Sequence, residues 1–196
     1  MNGFQFMYQM IKKVEKMNVE NEYGKVRFAE LKDLKYVVSL SKTESNCLGF
    51  IPKIAYESAI TGIKTGKRWS DVCNDKLWVC ECNGDLVGFV LASFGRVGSV
   101  WKTGKIAQIC LQTDARMMKR GQLLLDSVIN YGAKKGTLSF GCSCANDLPS
   151  NLFWQTMGWH NIGQRYGISH KNTWKQTSKR KINIYRYDPY DLFLQK

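Results

Sequence analysis

No apolar run in this chain approaches the ~20 residues needed to span a membrane. The first twenty residues, MNGFQFMYQMIKKVEKMNVE, do not read as a secretory signal either. Their basic residues follow the apolar ones, and no small-residue cleavage site is evident. Histidine is scarce, with two in 196 residues. The seven cysteines are an odd number in a chain without a secretory signal. That argues against a disulfide framework and points to a reducing cytoplasm. Cys80 with Cys82, and Cys142 with Cys144, follow CxC spacing inside apolar strands rather than the CxxC of zinc sites. They read as small buried strand residues, and no metal site is expected.

Acid is the other shortage. Lysine and arginine number 29 against 16 aspartates and glutamates, for a formal net charge of +13. Leu148 to Tyr187 contains no acidic residue, while Arg165, Lys171, Lys175, Lys179, Arg180, Lys181 and Arg186 accumulate there. This balance favours an anionic partner: a phosphorylated cofactor, a nucleic acid or an acidic protein. Tyr166, Trp174 and Tyr185 lie among the basic residues, a mixture that suits nucleic acid. A solvated basic loop beside an anionic cofactor accounts for the same pattern.

What the chain does have is material for a core, with 44% of its residues apolar. Its length suits one domain, or one domain with extensions. The expected organisation is an amphipathic helical extension over residues 1–20, a domain over 21–188 and a tail over 189–196. The extension would pack on the domain or on a partner subunit, which is compatible with a homodimer, or lie on a membrane surface.

Apolar spacing predicts a strand at Lys25–Phe28 and helices at Leu31–Ser41 and Ile51–Ile63. Leu77–Cys82 and Leu86–Phe94 read as strands joined by Asn83-Gly84-Asp85, a strong hairpin signal. A three-glycine loop, Gly95 to Gly104, leads to a strand at Ile106–Gln112. A helix follows from about Lys119 to Lys135, with Gly136 placed as its terminator. A strand at Leu138–Cys144 precedes a helix over Pro149–Met157, capped by Asn146-Asp147 and ended by Gly158. His160–Gln164 and Ile182–Tyr187 close the chain as late strands. The order is that of one α+β domain, a central sheet with helices on both faces.

The segment from Lys105 to Gly136 carries the chemistry. A strand, a short basic turn and a helix start follow one another. The first N–H groups of a helix lack intrahelical acceptors and bind phosphate oxygens. Arg116, Lys119 and Arg120 add positive charge at that point. The combination suggests a phosphate-bearing cofactor, and hence an enzyme.

In this order of elements, Arg116-Met117-Met118-Lys119-Arg120-Gly121 resembles the Q/R-x-x-G-x-G/A cofactor loop of the GNAT N-acetyltransferase superfamily. Lys119 replaces the middle glycine. NDLPSNLFWQTMGW resembles the family's N-x-x-A-x-x-F-Y-x-x-x-G-F helix through Phe153, Gly158 and Trp159. Asp147 stands for Asn, Ser150 for Ala and Trp154 for Tyr. The likeness covers about residues 25–187. It implies a mixed, mostly antiparallel sheet whose fourth and fifth strands splay apart around acetyl-CoA. It also implies an acyltransferase that moves acetyl directly from the thioester to an amine. The N–H groups of Met117, Met118, Lys119, Arg120, Gly121 and Gln122 would then hold the pyrophosphate, beside Thr113. The Lys119 backbone should be helical, with its side chain turned away or reaching a nucleotide phosphate. Leu111 N–H would polarise the thioester carbonyl. Asn146 and Asn151 would bond the pantetheine arm, and Phe153 and Trp154 would pack near the thiol or in the core.

Direct transfer rests on positioning, with a base for the amine and an acid for the thiolate. Tyrosine often serves as that acid, and Trp154 cannot. Asp147 and Glu81 are the remaining candidates; a helix cap and a solvent-facing strand residue are their structural alternatives. Two other functions fit the same residues. One is a GNAT-like enzyme acting on nucleic acid or a nucleic-acid-bound protein, suggested by the charge. The other is a non-catalytic binding module, suggested by Lys119 and Trp154. The segments expected to shape the acceptor pocket, Glu44 to Arg68 and Tyr166 to Arg180, carry more base than acid. They favour an acceptor bearing carboxylate or phosphate.

Overall fold

The computed structural model describes residues 19–63, 74–95, 103–168 and 177–189. Eight strands form one sheet: β1 (Val19–Asn21), β2 (Gly24–Phe28), β3 (Asn74–Cys82), β4 (Asp85–Phe94), β5 (Thr103–Leu111), β6 (Ser139–Ala145), β7 (His160–Ile168) and β8 (Thr177–Tyr187). Their spatial order is β1-β2-β3-β4-β5-β6-β8-β7. Neighbours run antiparallel except β5 and β6, which are parallel. Among the described residues, four α-helices accompany the sheet: α1 (Leu34–Thr43), α2 (Lys53–Thr61), α3 (Arg120–Lys134) and α4 (Ser150–Thr156).

Alternation along the strands divides the core between the two faces. Trp78, Val90, Ala92, Ile106, Phe140, Cys142 and Tyr185 face α3 and α4, meeting Leu124, Val128 and Trp154. Leu77, Val79, Phe89, Leu91 and Cys110 face α1 and α2, meeting Val37, Leu40 and Tyr56. The hairpin between β3 and β4 turns at Asn83 (φ 52°) and Gly84 (φ 88°), the paired positive φ values of its turn type. Cys80, Cys142 and Cys144 are buried in the core.

One irregularity matters for the site. Ala92 pairs with Ile106 but Leu91 pairs with Gln108, so Ala107 is the extra residue of a bulge. The bulge turns Gln108 toward α2. There its Oε1 accepts the Tyr56 hydroxyl at 2.5 Å, and its Nε2 donates to the Gly49 carbonyl.

The structure corrects the sequence reading in several places. Val19 and Glu20, assigned to the N-terminal extension, belong to β1, which pairs with β2. Leu31–Asp33 is a 3-10 turn, and α1 starts only at Leu34. β7 and β8 are longer than expected and form a paired ribbon. The rest of the expected N-terminal helix, Trp174 and the basic residues Lys171 and Lys175 lie outside the described residues.

Candidate active site

β5 and β6 hydrogen-bond only at their first residues, where Thr103, Gly104 and Lys105 meet Ser139, Phe140 and Gly141. Beyond this, β5 follows β4 to Leu111 and β6 follows β8 to Ala145. The strands therefore part, and a wedge opens between them. Gln112 N–H donates to Val87 O of the β4 side at 2.9 Å. Strand alternation then turns the N–H groups of Leu111 and Ile109 the other way, into the wedge.

The chain leaves β5 through a 3-10 turn at Thr113–Ala115 and enters α3 at Arg120. Thr113 is exposed, and its carbonyl takes the Arg116 N–H at 3.3 Å. Met117 (φ 64°) and Lys119 (φ 55°) both adopt left-handed backbone. This corrects the sequence expectation: the Lys119 backbone is left-handed, not helical. It takes the conformation that the glycine it replaces would adopt freely. Met117 is fully exposed and Gln122 is exposed. Among the described residues, no backbone acceptor reaches the N–H groups of Met117 through Gln122; the first bond of this turn is Leu123 N–H to Lys119 O at 3.0 Å. A row of free donors at a helix start, beside an open wedge, is an anion cradle.

The cationic side chains of the loop largely brace it. Arg116 donates to Leu111 O at 3.2 Å and pairs with Glu44 at 2.8 Å. Arg120 donates to Tyr23 O at 2.9 Å and lies 3.0 Å from both Met118 Sδ and Cys82 Sγ. Lys119 Nζ sits 5.2 Å from the Tyr23 ring centre rather than extending over the cradle. Their charge remains local, while the free hydrogen-bond donors of the cradle are backbone.

Beyond β6 lies an amide knot. Asn151 donates to Ala145 O at 2.8 Å and Leu148 O at 2.7 Å, and accepts from Asn183 Nδ2 at 2.7 Å and the Tyr185 hydroxyl at 3.0 Å. Its hydrogen-bonding capacity is spent inside the fold, so the expected pantetheine contact from this side chain does not fit. Asn146 is exposed; its side-chain oxygen accepts from Asn183 Nδ2 and its backbone carbonyl from Asn151 Nδ2, both at 3.2 Å. Trp154 is buried, edge-on to Trp159 at 4.9 Å and stacked near Tyr185 at 6.5 Å. It is a core residue. Phe153 is half-buried and lies against Gly121 at the start of α3.

Neither candidate carboxylate faces the wedge as a free group. Asp147 is exposed and pairs with Arg180 at 2.9 Å, which holds its carboxyl below the usual range. It does not cap α4, which starts after Pro149 without a side-chain cap. Glu81 stands on β3, with β4 and β5 between it and the wedge. It binds Arg27 at 2.6 Å in a cluster completed by Asp33. Burial pushes the Cys144 thiol up; its Sγ lies 3.2 Å from Ser150 Oγ.

Sequence reasoning missed Glu44, Tyr23, Asn183 and Ile109. Glu44 sits in a Ser/Thr-rich loop with no motif around it, and its partner Arg116 is far along the chain. Ile109 was recoverable from strand alternation once Leu111 was chosen.

The GNAT acetyltransferase family model matches residues 52–159, more than half of the chain and the whole of the wedge and cradle. The chain belongs to this family. No curated protein matches it as a relative. Among solved structures, it is similar to Naa50 of Arabidopsis thaliana in complex with the bisubstrate analogue CoA-Ac-MVNAL, at TM-score 0.64 and 12% identity, covering 83% of this chain and 97% of that one. The Salmonella typhimurium acetyltransferase that modifies the N-terminal serine of ribosomal protein L7/L12 aligns at 0.62 and 14%, covering 87% and 97%. Ard1 from Thermoplasma volcanium aligns at 0.60 and 16%, covering 85% and 97%. At these identities the likeness establishes the GNAT fold. Its mostly antiparallel sheet, one parallel pair and flanking helices are those of this chain. Among the described residues, no helix is long and apolar enough to cross a membrane, and no group of His, Cys, Asp or Glu could hold a metal ion.

Proposed function

We propose that this protein is an acetyl-CoA-dependent N-acetyltransferase. The observation that carries the reading is the wedge between β5 and β6 ending at the row of free N–H groups from Met117 to Gln122. The wedge suits a narrow pantetheine arm and the cradle suits a pyrophosphate, so the residues present fit acetyl-CoA. That molecule supplies an acetyl group activated as a thioester.

The chain's own part is binding and alignment. The backbone of Met117–Gln122 holds the pyrophosphate, with Arg116, Lys119 and Arg120 adding local charge. The N–H groups of Leu111 and Ile109 face the wedge, where they favour developing negative charge on a carbonyl oxygen. Phe153 walls the wedge beside Gly121. A neutral amine forms the new C–N bond as the C–S bond breaks, and the thiolate takes up a proton. No carboxylate is assigned to either proton, because Asp147 and Glu81 are held by arginines; water at the wedge mouth carries them. The acceptor is an amine, the group modified by the Salmonella neighbour and represented by the MVNAL peptide of the Arabidopsis complex.

Titration calorimetry with acetyl-CoA, followed by thiol release over an amine panel, tests the reading. The expected result is binding that Gly121→Glu abolishes, and acceptor-dependent release of coenzyme A. Absence of binding by the folded wild-type protein would falsify it.

A further inference from the structure

Strand register lines up Asp75, Ser93, Lys105, Gly141, Arg186 and His160 across β3, β4, β5, β6, β8 and β7. All share the sheet face that carries α1 and α2. The buried cluster under those helices draws its strand residues from β3, β4 and β5 and none from β6, β7 or β8. The row therefore emerges from cover at Lys105, which is exposed. Lys105 and Gly141 are also the last paired residues before the wedge opens.

Gly141 is the informative member. Glycine inside a strand weakens it and often marks a close approach by another molecule. The fold itself accounts for other strand glycines: a Cβ on Gly88 would stand 2.4 Å from Leu111 Cδ2, and one on Gly104 2.5 Å from Phe140 Cδ1. Among the described residues, a Cβ on Gly141 would meet only Tyr185 O, at an ordinary 3.6 Å. Nothing among the described residues requires glycine there. It leaves a bare lane between two cations whose Cα atoms are about 10 Å apart, given ~4.8 Å between strands.

Among the described residues, both cations keep donors to spare. Among the described residues Lys105 has no ion pair. Arg186 is 54% exposed and, among the described residues, bonds Asp188 through Nε, at 2.7 and 2.9 Å to its two oxygens. Asp188 lies past the end of β8, and this contact fixes the guanidinium while leaving its terminal nitrogens to donate. Asp75 stands beyond Ser93 from Lys105, on the side away from Gly141, and feels the Lys105 charge without an ion pair to it.

We infer that the acceptor amine carries a carboxylate, bound over Gly141 between Lys105 and Arg186. This rests on the transferase reading: the anion lies at the closed end of the wedge, four residues or about 13 Å along β5 from Ile109, and the amine reaches from there toward the Ile109 N–H. Lysine and arginine supply charge-assisted bonds from opposite sides of a group of that size.

The test compares acceptors that differ only in the anion: amino acids against their carboxamides, and Ser-Glu against Ser-Gln peptide amides. Thiol release is followed, and rates are compared per unprotonated amine. The carboxylate member of at least one series is expected to show about tenfold higher kcat/KM, the worth of a charge-assisted bond. Which series responds tells whether the anion is an α-carboxylate or a side chain. Lys105→Gln and Arg186→Gln should each erase most of that preference through KM, with acetyl-CoA affinity unchanged. Gly141→Val should do the same. Equal rates within both series, or a Gly141→Val variant that keeps the preference, overturn the inference. If acetyl-CoA does not bind at all, the transferase reading falls, and the subsite is tested alone by amide chemical-shift changes with succinate. Shifts at Gly141 that Lys105→Gln removes then support it, and their absence overturns it.

Discussion

The ring of Phe153 occupies the space that any side chain on Gly121 would need: a Cβ there would stand 2.9 Å from Phe153 Cε2. Two residues from separate motifs are thus one packing unit, which sets the first turn of α3 against α4. Gly121→Ala should push the ring aside or tilt the helix start. The expected cost is about 1–2 kcal/mol of stability, as for overpacking, and about tenfold weaker acetyl-CoA binding. Thermal unfolding and calorimetry on the same preparation check both. Phe153→Ala in the same background should restore part of the binding, because it removes the clash.

Lys119 holds a left-handed backbone at φ 55° without being glycine. Such a conformation costs a non-glycine residue of order 1 kcal/mol, and a β-branched one more. The contact with Tyr23 at 5.2 Å returns part of this. Lys119→Gly should therefore change the unfolding free energy by less than about 1 kcal/mol and keep acetyl-CoA affinity within about twofold. Lys119→Val should lose about 2 kcal/mol. Urea unfolding of the pair gives the answer. A Lys119→Gly protein that binds far more tightly than wild type would mean that the lysine impairs the cradle.

Arg116 ties the cradle to the loop after α1, through Leu111 O at 3.2 Å and Glu44 at 2.8 Å. The Glu44 side chain is only 16% exposed, so this pair is less screened than a surface bridge. Arg116→Ala should weaken acetyl-CoA binding about tenfold, since it loses both the brace and a local charge. Glu44→Gln keeps the charge of Arg116 and should cost about threefold or less. Equal losses in the two variants would show that the brace, and not the charge, carries the effect.

The difference between what the sequence shows and what it hides follows a physical line. Alternation, the Asn83-Gly84 turn and the spacing of the two motifs are local signals, and they located β2 to β6, α3 and α4. β1 has three residues, too short for any alternation to register. The later half of β7, Arg165 to Ile168, carries Gly167 and no regular apolar alternation; its ladder with β8 holds it. Side-chain roles were hidden more deeply. Glu81 reads as a free acid until Arg27, 54 residues away, closes on it. Asn151 reads as a ligand until Asn183 and Tyr185 arrive from β8. Arg120 reads as a phosphate cation until Tyr23, 97 residues earlier, takes its Nε. Charge and residue type are legible, but availability depends on contacts between distant strands.

The cluster in which Arg27 binds Glu81 also makes a prediction about acid stability. Arg27 grips Asp33 at 2.7 and 3.1 Å, and Asp33 also takes the Glu30 N–H at 2.8 Å. Burial pushes the Asp33 carboxyl up, but Arg27 and the Glu30 N–H outweigh it and hold the group below its ordinary 3.8. A carboxyl whose folded pKa is depressed stabilises the fold fully above its unfolded pKa. That contribution is lost as pH falls through the folded value. The window therefore lies below about pH 4. Asp33 is 2% exposed, so removing it leaves Arg27 partly uncompensated, and Asp33→Asn should lose about 3 kcal/mol at pH 7. Between pH 5 and pH 7 that deficit should stay constant. Below pH 4 it should shrink, because the wild type loses there what the variant never had. Urea midpoints at pH 7, 5 and 3 for both proteins measure it, and a deficit that grows on acidification would contradict the assignment.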